Sequence, residues 1–248
     1  MKIISLIFLL IKVTFSLTEE DVTFENDKKL NVEYKLPSLY HYKLNSFSLT
    51  NIQFIFLIGL LEKYRPNNIC EFGAGESTKI FETYAERYNK SFLNIEQDEK
   101  YLYKSSKFFP LKHEASLVIN GKIYKRNGIY DGLEEFFKNY QKEKFDFVLI
   151  DGPFANQKKK KYKYVRLQMV YFVEFDLLQD EGYFLIHDSS LPGSKNSIKI
   201  LLSLFKEKYD LYIEYVEKWI KQELTVFKFN KKTSKEKTNK QKKKKKIA

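Results

Sequence analysis

Asn68-Ile69-Cys70-Glu71-Phe72-Gly73-Ala74-Gly75-Glu76-Ser77-Thr78 is the stretch on which the fold turns. Its first five residues are a short, mostly apolar run, the pattern of a strand buried on both faces. The glycines permit a tight turn and let a ligand approach the backbone closely. Ile80, Phe81 and Tyr84 then recur at helical spacing. A helix N-terminus behind a glycine loop can hold phosphate. Here Glu71 stands two residues before Gly73, Glu76 lies inside the loop, and Thr78 sits where a dinucleotide fingerprint requires glycine. Carboxylates repel a diphosphate, so the loop suits a ligand with a cationic portion.

Outward from this loop, strand-like and helical periods alternate. A helix through Ile52, Ile55, Phe56, Leu60 and Leu61 is expected, capped by Thr50 and stopped by Pro66. Strands are expected at Phe92–Ile95, Leu117–Ile119, Phe145–Ile150 and Tyr183–Ile186. Helices are expected from Tyr101 to Pro110, Leu133 to Tyr140, Val165 to Leu178 and Ser197 to Tyr209. A long polar insertion runs from Asn120 to Asp131. Leu211–Tyr215 and Leu224–Phe229 alternate like two antiparallel strands. With Asn68–Phe72 this predicts an α/β, three-layer Rossmann-like sandwich. Its sheet would be seven-stranded and mostly parallel, ending in an antiparallel hairpin.

Ligands of such sheets bind beyond the carboxyl ends of the strands, which selects the residues that matter. The second strand ends Ile95-Glu96-Gln97-Asp98. A carboxylate there can accept both hydroxyls of a ribose, and Glu96 is the candidate. Asp98 and Glu99 suit the first turn of a following helix. The strand at Phe145–Ile150 ends in Asp151-Gly152-Pro153, and Tyr183–Ile186 ends in His187-Asp188-Ser189. His187 could take a proton from a substrate hydroxyl. Asp151 and Asp188 could orient it or hold a divalent cation through oxygen. Asp-Gly-Pro is also good turn chemistry. His41 and His113 have no comparable neighbours and read as ordinary.

The 248 residues suit one domain with trimmings, and 43% hydrophobic content supports a large core. The segments read as an apolar stretch 1–17, a polar linker 18–37, a domain 38–230 and a Lys-rich, disordered-looking tail 231–248. Of the net charge of +12, the tail's ten Lys and one Glu carry +9, leaving +3 for the rest. The basic balance therefore describes the tail. It could attract anionic lipid, nucleic acid or acidic glycan, or be a solvated end produced by compositional bias. Cys70 is the single cysteine, which excludes an intrachain disulfide and a cysteine-based metal site. The apolar N-terminal stretch, interrupted by Lys12, is short for a membrane span. Two readings stand open: a signal peptide and secretory location, or a membrane-touching helix on a cytoplasmic protein.

Phe154-Ala155-Asn156-Gln157 followed by Lys158–Lys161, Tyr162, Lys163, Tyr164 and Arg166 would form a basic rim beside the strand ends. Such a rim favours an acidic acceptor, with Tyr162 and Tyr164 stacking on sugar or base. A solvated lysine loop competes with that reading.

This pattern resembles the class I S-adenosylmethionine-dependent methyltransferases over about Leu49 to Asn230. The family's first motif looks like Glu71-Phe72-Gly73-Ala74-Gly75-Glu76-Ser77 here. The resemblance implies that Glu71, Gly73, Ala74, Gly75 and Ser77 surround the methionine part of the cofactor. It implies that Glu96, with Gln97 beside it, holds the ribose. It also implies the terminal hairpin of the sheet. Ile150-Asp151-Gly152-Pro153 and the strand ending His187-Asp188-Ser189-Ser190 look like a subgroup associated with glycan or small-molecule O-methylation. Ser77 replaces a third loop glycine, and the adenine-contacting segment is not identifiable. Metal-dependent relatives place an acid at the fourth strand end and Asp-Asn at the fifth; Ser189 replaces that Asn, and no metal is expected. His187, Asp151 and Asp188 are the expected catalytic residues, and an acidic glycan or small molecule the expected acceptor. A nucleic-acid methyltransferase and a non-catalytic ligand-binding module remain as alternatives. Asp-Gly-Pro in place of an Asn-Pro-Pro-Tyr motif counts against base N-methylation.

Overall fold

The computed structural model describes residues 49, 51–153, 162–219 and 222–232. The apolar N-terminal stretch, the 18–37 linker, Thr50, Lys158–Lys161 and the tail beyond Lys232 lie outside these residues. Helix α1 (Asn51–Tyr64) ends before Pro66, which cannot continue a helix. Strand β1 (Asn68–Phe72) is buried along its whole length. Helix α2 (Glu76–Tyr88) buries Ser77, Thr78, Ile80, Phe81 and Tyr84 on one face and closes on Asn89 in the left-handed region. Next come β2 (Ser91–Glu96), β3 (Ser106–Phe108), β4 (Leu111–Ile119) and β5 (Lys122–Tyr130). They are followed by α3 (Leu133–Lys138), β6 (Phe145–Ile150), α4 (Tyr171–Glu174) and β7 (Leu178–Ile186). Helix α5 (Pro192–Lys208) and strands β8 (Tyr209–Trp219) and β9 (Gln222–Lys231) complete the described chain.

Seven strands form one sheet in the order β3-β2-β1-β6-β7-β9-β8. Neighbours from β3 to β7 are parallel; β9 is antiparallel to both β7 and β8. On one face, Phe81 of α2 packs on Phe92 and Phe147, and Tyr64 of α1 lies on Tyr183, ring centroids 4.0 Å apart. On the other, Phe137 of α3, Phe172 of α4 and Phe205 of α5 meet Phe72, Phe145 and Phe184. The result is the three-layer Rossmann-like sandwich with the terminal antiparallel hairpin. Apolar residues on successive positions of β1, β6 and β7 are what both covered faces require.

Several elements differ from expectation. The third strand of the sheet is Ser106–Phe108, not Leu117–Ile119; the latter belongs to β4, half of a separate two-stranded sheet with β5. The stretch from Tyr101 to Pro110 is one short turn, Glu99–Tyr101, and then β3. The polar insertion to Asp131 is β5, whose first residues are largely exposed, so its sequence lacks the apolar alternation of a half-buried strand. The Val165–Leu178 helix is reduced to a turn at Leu167–Val170 and the four-residue α4. Strand β9 runs to Lys231, and Lys232 is buried with its Nζ 3.5 Å from Asp210. No helix among the described residues is long and apolar enough to cross a membrane.

Candidate active site

Register sets the geometry of the site. Phe72 pairs with Ile95 on one side and Ile150 on the other, and Ile150 pairs with Ile186. The next residue on each strand therefore falls in one row: Glu96, Gly73, Asp151, His187. At an inter-strand spacing of about 4.8 Å the row spans about 14 Å. Backbone bonds hold it level: Gly73 N donates to Ile95 O (2.8 Å), Asp151 N to Phe72 O (2.8 Å) and His187 N to Ile150 O (3.1 Å). The order in which parallel strands are added to the sheet reverses between β1 and β6, the switch point where ligands of such sheets lie.

Gly73 and Gly152 meet at that switch point. Gly73 has φ +88°, and a Cβ on it would lie 2.9 Å from Gly152 N. A Cβ on Gly152 would lie 2.1 Å from the Tyr130 hydroxyl and 2.7 Å from Gly73 N. Neither position admits a larger residue without displacing backbone.

On the glycine-loop side, Glu96 Oε2 accepts from Ala74 N (2.5 Å) and Oε1 from Asp98 N (2.7 Å). One carboxylate thus ties the loop to the end of β2. Burial raises its pKa against these bonds. Each oxygen keeps capacity for a second donor. Glu71 lies one layer beneath and is fully buried. It accepts from Ser77 Oγ (2.5 Å), Thr78 Oγ1 (2.7 Å) and Asn94 Nδ2 (2.9 Å). Burial pushes its carboxyl up to about 8 despite those donors. Thr78 Oγ1 also accepts from Gly75 N (2.9 Å), so Glu71 organises the loop through the first turn of α2. Gln97 follows Glu96, half-buried at the mouth.

On the β6–β7 side, the Nδ1–H of fully buried His187 donates to Asp151 Oδ1 (2.7 Å). That bond directs Nε2 away from Asp151, and Nε2 has no partner among the described residues. Burial disfavours the imidazolium, but the charge of Asp151, the bond to it and the charge of Asp188 outweigh burial, and the pKa is raised above 6.5. Asp188 has φ +52° and its Oδ2 is 3.9 Å from Nδ1. Ser189 turns away: its Oγ donates to Glu223 Oε1 (2.8 Å) and lies 2.8 Å from Thr225 Oγ1.

Arg166 was expected on an exposed rim; its side chain is 5% exposed and lies inside the site. Its Nη2 donates to Asp151 O (2.8 Å) and Asp151 Oδ1 (3.1 Å), and lies 3.5 Å from Asp188 Oδ2. Its Nη1 donates to His187 O. Two acids nearby, supplied by distant strands, outweigh the solvation a surface arginine enjoys. Tyr162 and Tyr164 are also engaged internally. Tyr162 is bonded to His113 and stacked on it, and Tyr164 meets Tyr124 edge-on at 5.3 Å. Lys163 is exposed as expected.

Tyr130 was not foreseen. Its phenol is fully buried against Gly152, without a hydrogen-bond partner among the described residues, and burial drives its pKa upward. Gln168 fixes it by bonding Tyr130 N (2.6 Å) and O (2.9 Å). The only sequence signal was its place just before Asp131-Gly132, where β5 returns to the sheet beside Pro110.

No protein-family profile and no curated protein matches the chain. Among solved structures it is similar to the methyltransferase PaMTH1 of Podospora anserina, bound to S-adenosylhomocysteine. Identity is 12%, coverage is 85% of this chain and 97% of that one, and the TM-score is 0.49. A protein of Streptococcus mutans, provisionally classed as a methyltransferase and also holding S-adenosylhomocysteine, gives 11%, 72%, 97% and 0.43. A methyltransferase of Pyrococcus furiosus gives 14%, 83%, 98% and 0.38. Identities this low leave the chemistry to be argued from the site itself.

Proposed function

We propose that this protein is an S-adenosylmethionine-dependent methyltransferase acting on a hydroxyl of a small molecule or glycan. The observation that carries it is the row Glu96–Gly73–Asp151–His187, which sets a glycine loop beside an acid–base pair at the switch point of the sheet. The residues fit an adenosyl cofactor. The Gly73–Gly152 contact leaves backbone bare at the loop, and Glu96 has acceptor capacity for a ribose. Gly73, Ala74, Gly75 and Ser77 would face its amino-acid portion, with Glu71 supporting them from beneath.

When bound, the cofactor supplies a sulfonium methyl for in-line transfer to an oxygen. The protein positions the acceptor and excludes water. His187 Nε2 takes the proton of the acceptor hydroxyl as the carbon–oxygen bond forms. Asp151 holds the imidazole in the tautomer that leaves Nε2 unprotonated and stabilises the imidazolium that results.

An acidic acceptor is favoured by exposed Lys163 and Lys195, on segments joined where Asn196 Nδ2 donates to Lys163 O (2.9 Å). The test is transfer of labelled methyl from S-adenosylmethionine to paired acidic and neutral oligosaccharides and phenols. Labelling of a hydroxyl, lost in His187→Ala while cofactor binding persists, is the expected result. Labelling of a nitrogen, or equal rates in His187→Ala, would contradict the oxygen chemistry.

A further inference from the structure

Asp151, His187 and Asp188 present ligand atoms that all lie within 4.8 Å of one another, a spacing that could hold a metal ion. Metal-dependent relatives of the family this chain resembles use acids at these two strand ends. The remaining atoms of the site do not fit a cation. The space between the two carboxylates is taken by Arg166 Nη2, 3.1 Å from Asp151 Oδ1 and 3.5 Å from Asp188 Oδ2. The same nitrogen bonds the carbonyl of Asp151, and Nη1 bonds the carbonyl of His187. One guanidinium therefore ties together the carboxyl ends of β6 and β7. Ser189, the next oxygen donor in sequence, is turned to Glu223 and Thr225.

Charge points the same way. The two carboxylates already share one buried guanidinium. A dication would have to sit against a guanidinium that is itself buried. Arg166 also holds a backbone φ of +62°, an uncommon conformation for a residue with a long side chain. It is pinned there from outside: Val165 N donates to Gly193 O (3.2 Å), and Val165 fills the space above Gly193, where an added Cβ would meet its Cγ2 at 2.6 Å. The chain thus adopts a costly local conformation that directs the guanidinium inward.

We infer that Arg166 is the resident cation of this site, a positioning residue that holds Asp151 and Asp188 where a divalent metal would otherwise bind, so that the site works without a metal. Arg166 supplies a fixed positive charge and five donors in a rigid fork, and it keeps Asp151 Oδ1 in place for His187. Because the inference concerns charge and space, its test does not require turnover and stands apart from the methyl-transfer reading.

The experiment is calorimetric and electron paramagnetic resonance titration of the full chain with Mn²⁺ alone. Wild type and Arg166→Lys should bind no Mn²⁺ at this site. Arg166→Ala should gain a site at least about tenfold tighter than any wild-type binding, the scale on which neighbours of metal ligands act. Asp151→Asn in that background should abolish it. Arg166→Gln replaces the alanine variant if thermal melting shows the latter unfolded, and if neither folds the wild-type titration decides. Tight wild-type binding that is lost in Asp151→Asn would overturn the inference. So would a folded, charge-free variant that binds Mn²⁺ no better than wild type.

Discussion

The two halves of this row of strand ends handle their carboxylates in opposite ways. On the β1–β2 side, the donors to Glu71 and Glu96 among the described residues are neutral: hydroxyls, an amide and backbone N–H groups. On the β6–β7 side, Asp151 and Asp188 meet a guanidinium and an imidazole. The first arrangement shapes a loop and leaves its carboxyls easy to protonate. The second fixes charge in place and leaves His187 Nε2 without a partner among the described residues, the atom proposed to take the proton. In the proposed reading, binding and chemistry are divided between neighbouring strands, with Gly73 against Gly152 as the seam.

The largest expected effect lies on the charged side. Asp151→Asn removes the acceptor for His187 Nδ1–H and one partner of Arg166. Transfer should slow about 10²–10⁴-fold, the usual worth of general acid–base catalysis, with cofactor affinity little changed. A parallel loss of affinity would show that the two halves are not separable. The pH profile sharpens the division. His187 acts as a base only when neutral, and its pKa lies above 6.5, so the rate should rise with pH through a midpoint above that value. A flat profile would remove His187 from the proton path.

At the seam, Gly152→Ala should lower stability by about 1–3 kcal/mol or more through overpacking, because the new methyl meets Tyr130 and Gly73 backbone. Gly75→Ala, with nothing within 4 Å, should be close to neutral in the same thermal unfolding assay. Equal effects at the two positions would break the picture of a close seam. On the neutral side, Glu96→Ala should weaken S-adenosylmethionine binding by about 1–3 kcal/mol, read by titration, with the chemical step less affected.

The remaining test on the neutral side concerns Glu71. Its folded pKa, about 8, lies above the ordinary 4.5, so the folded state keeps a proton that the unfolded chain releases. Its contribution is therefore greatest below pH 4.5 and is lost as pH rises towards 8. Glu71→Gln should flatten that part of the stability profile measured by denaturant unfolding. An unchanged slope would mean that Glu71 is ionised in the fold.

What could be read in the sequence was what is local. β1, its glycine loop and α2 lie within about twenty residues, and the apolar run from Phe145 to Ile150 marks β6 without ambiguity. The strand-end rule then found Glu96, Asp151, His187 and Asp188 together. Arg166 was read as part of the basic rim rather than as a buried cation because its partners are 15 and 22 residues away and a run of lysines precedes it. Tyr130 was missed because it ends a hairpin inserted between β3 and α3, whose exposed face hides the strand alternation. The broken helix before β7 was missed because its apolar spacing fits a helix, while Asp176 in the left-handed region ends it early.

The central claim is that the β1–β2 half of the site holds an adenosyl cofactor. The direct test is isothermal titration of the full chain with S-adenosylmethionine and S-adenosylhomocysteine, with NAD beside them. Binding of both adenosyl compounds, weakened in Glu96→Ala, with no heat from NAD, is the predicted result. A folded protein that binds neither adenosyl compound, or that binds NAD in their place, would contradict it.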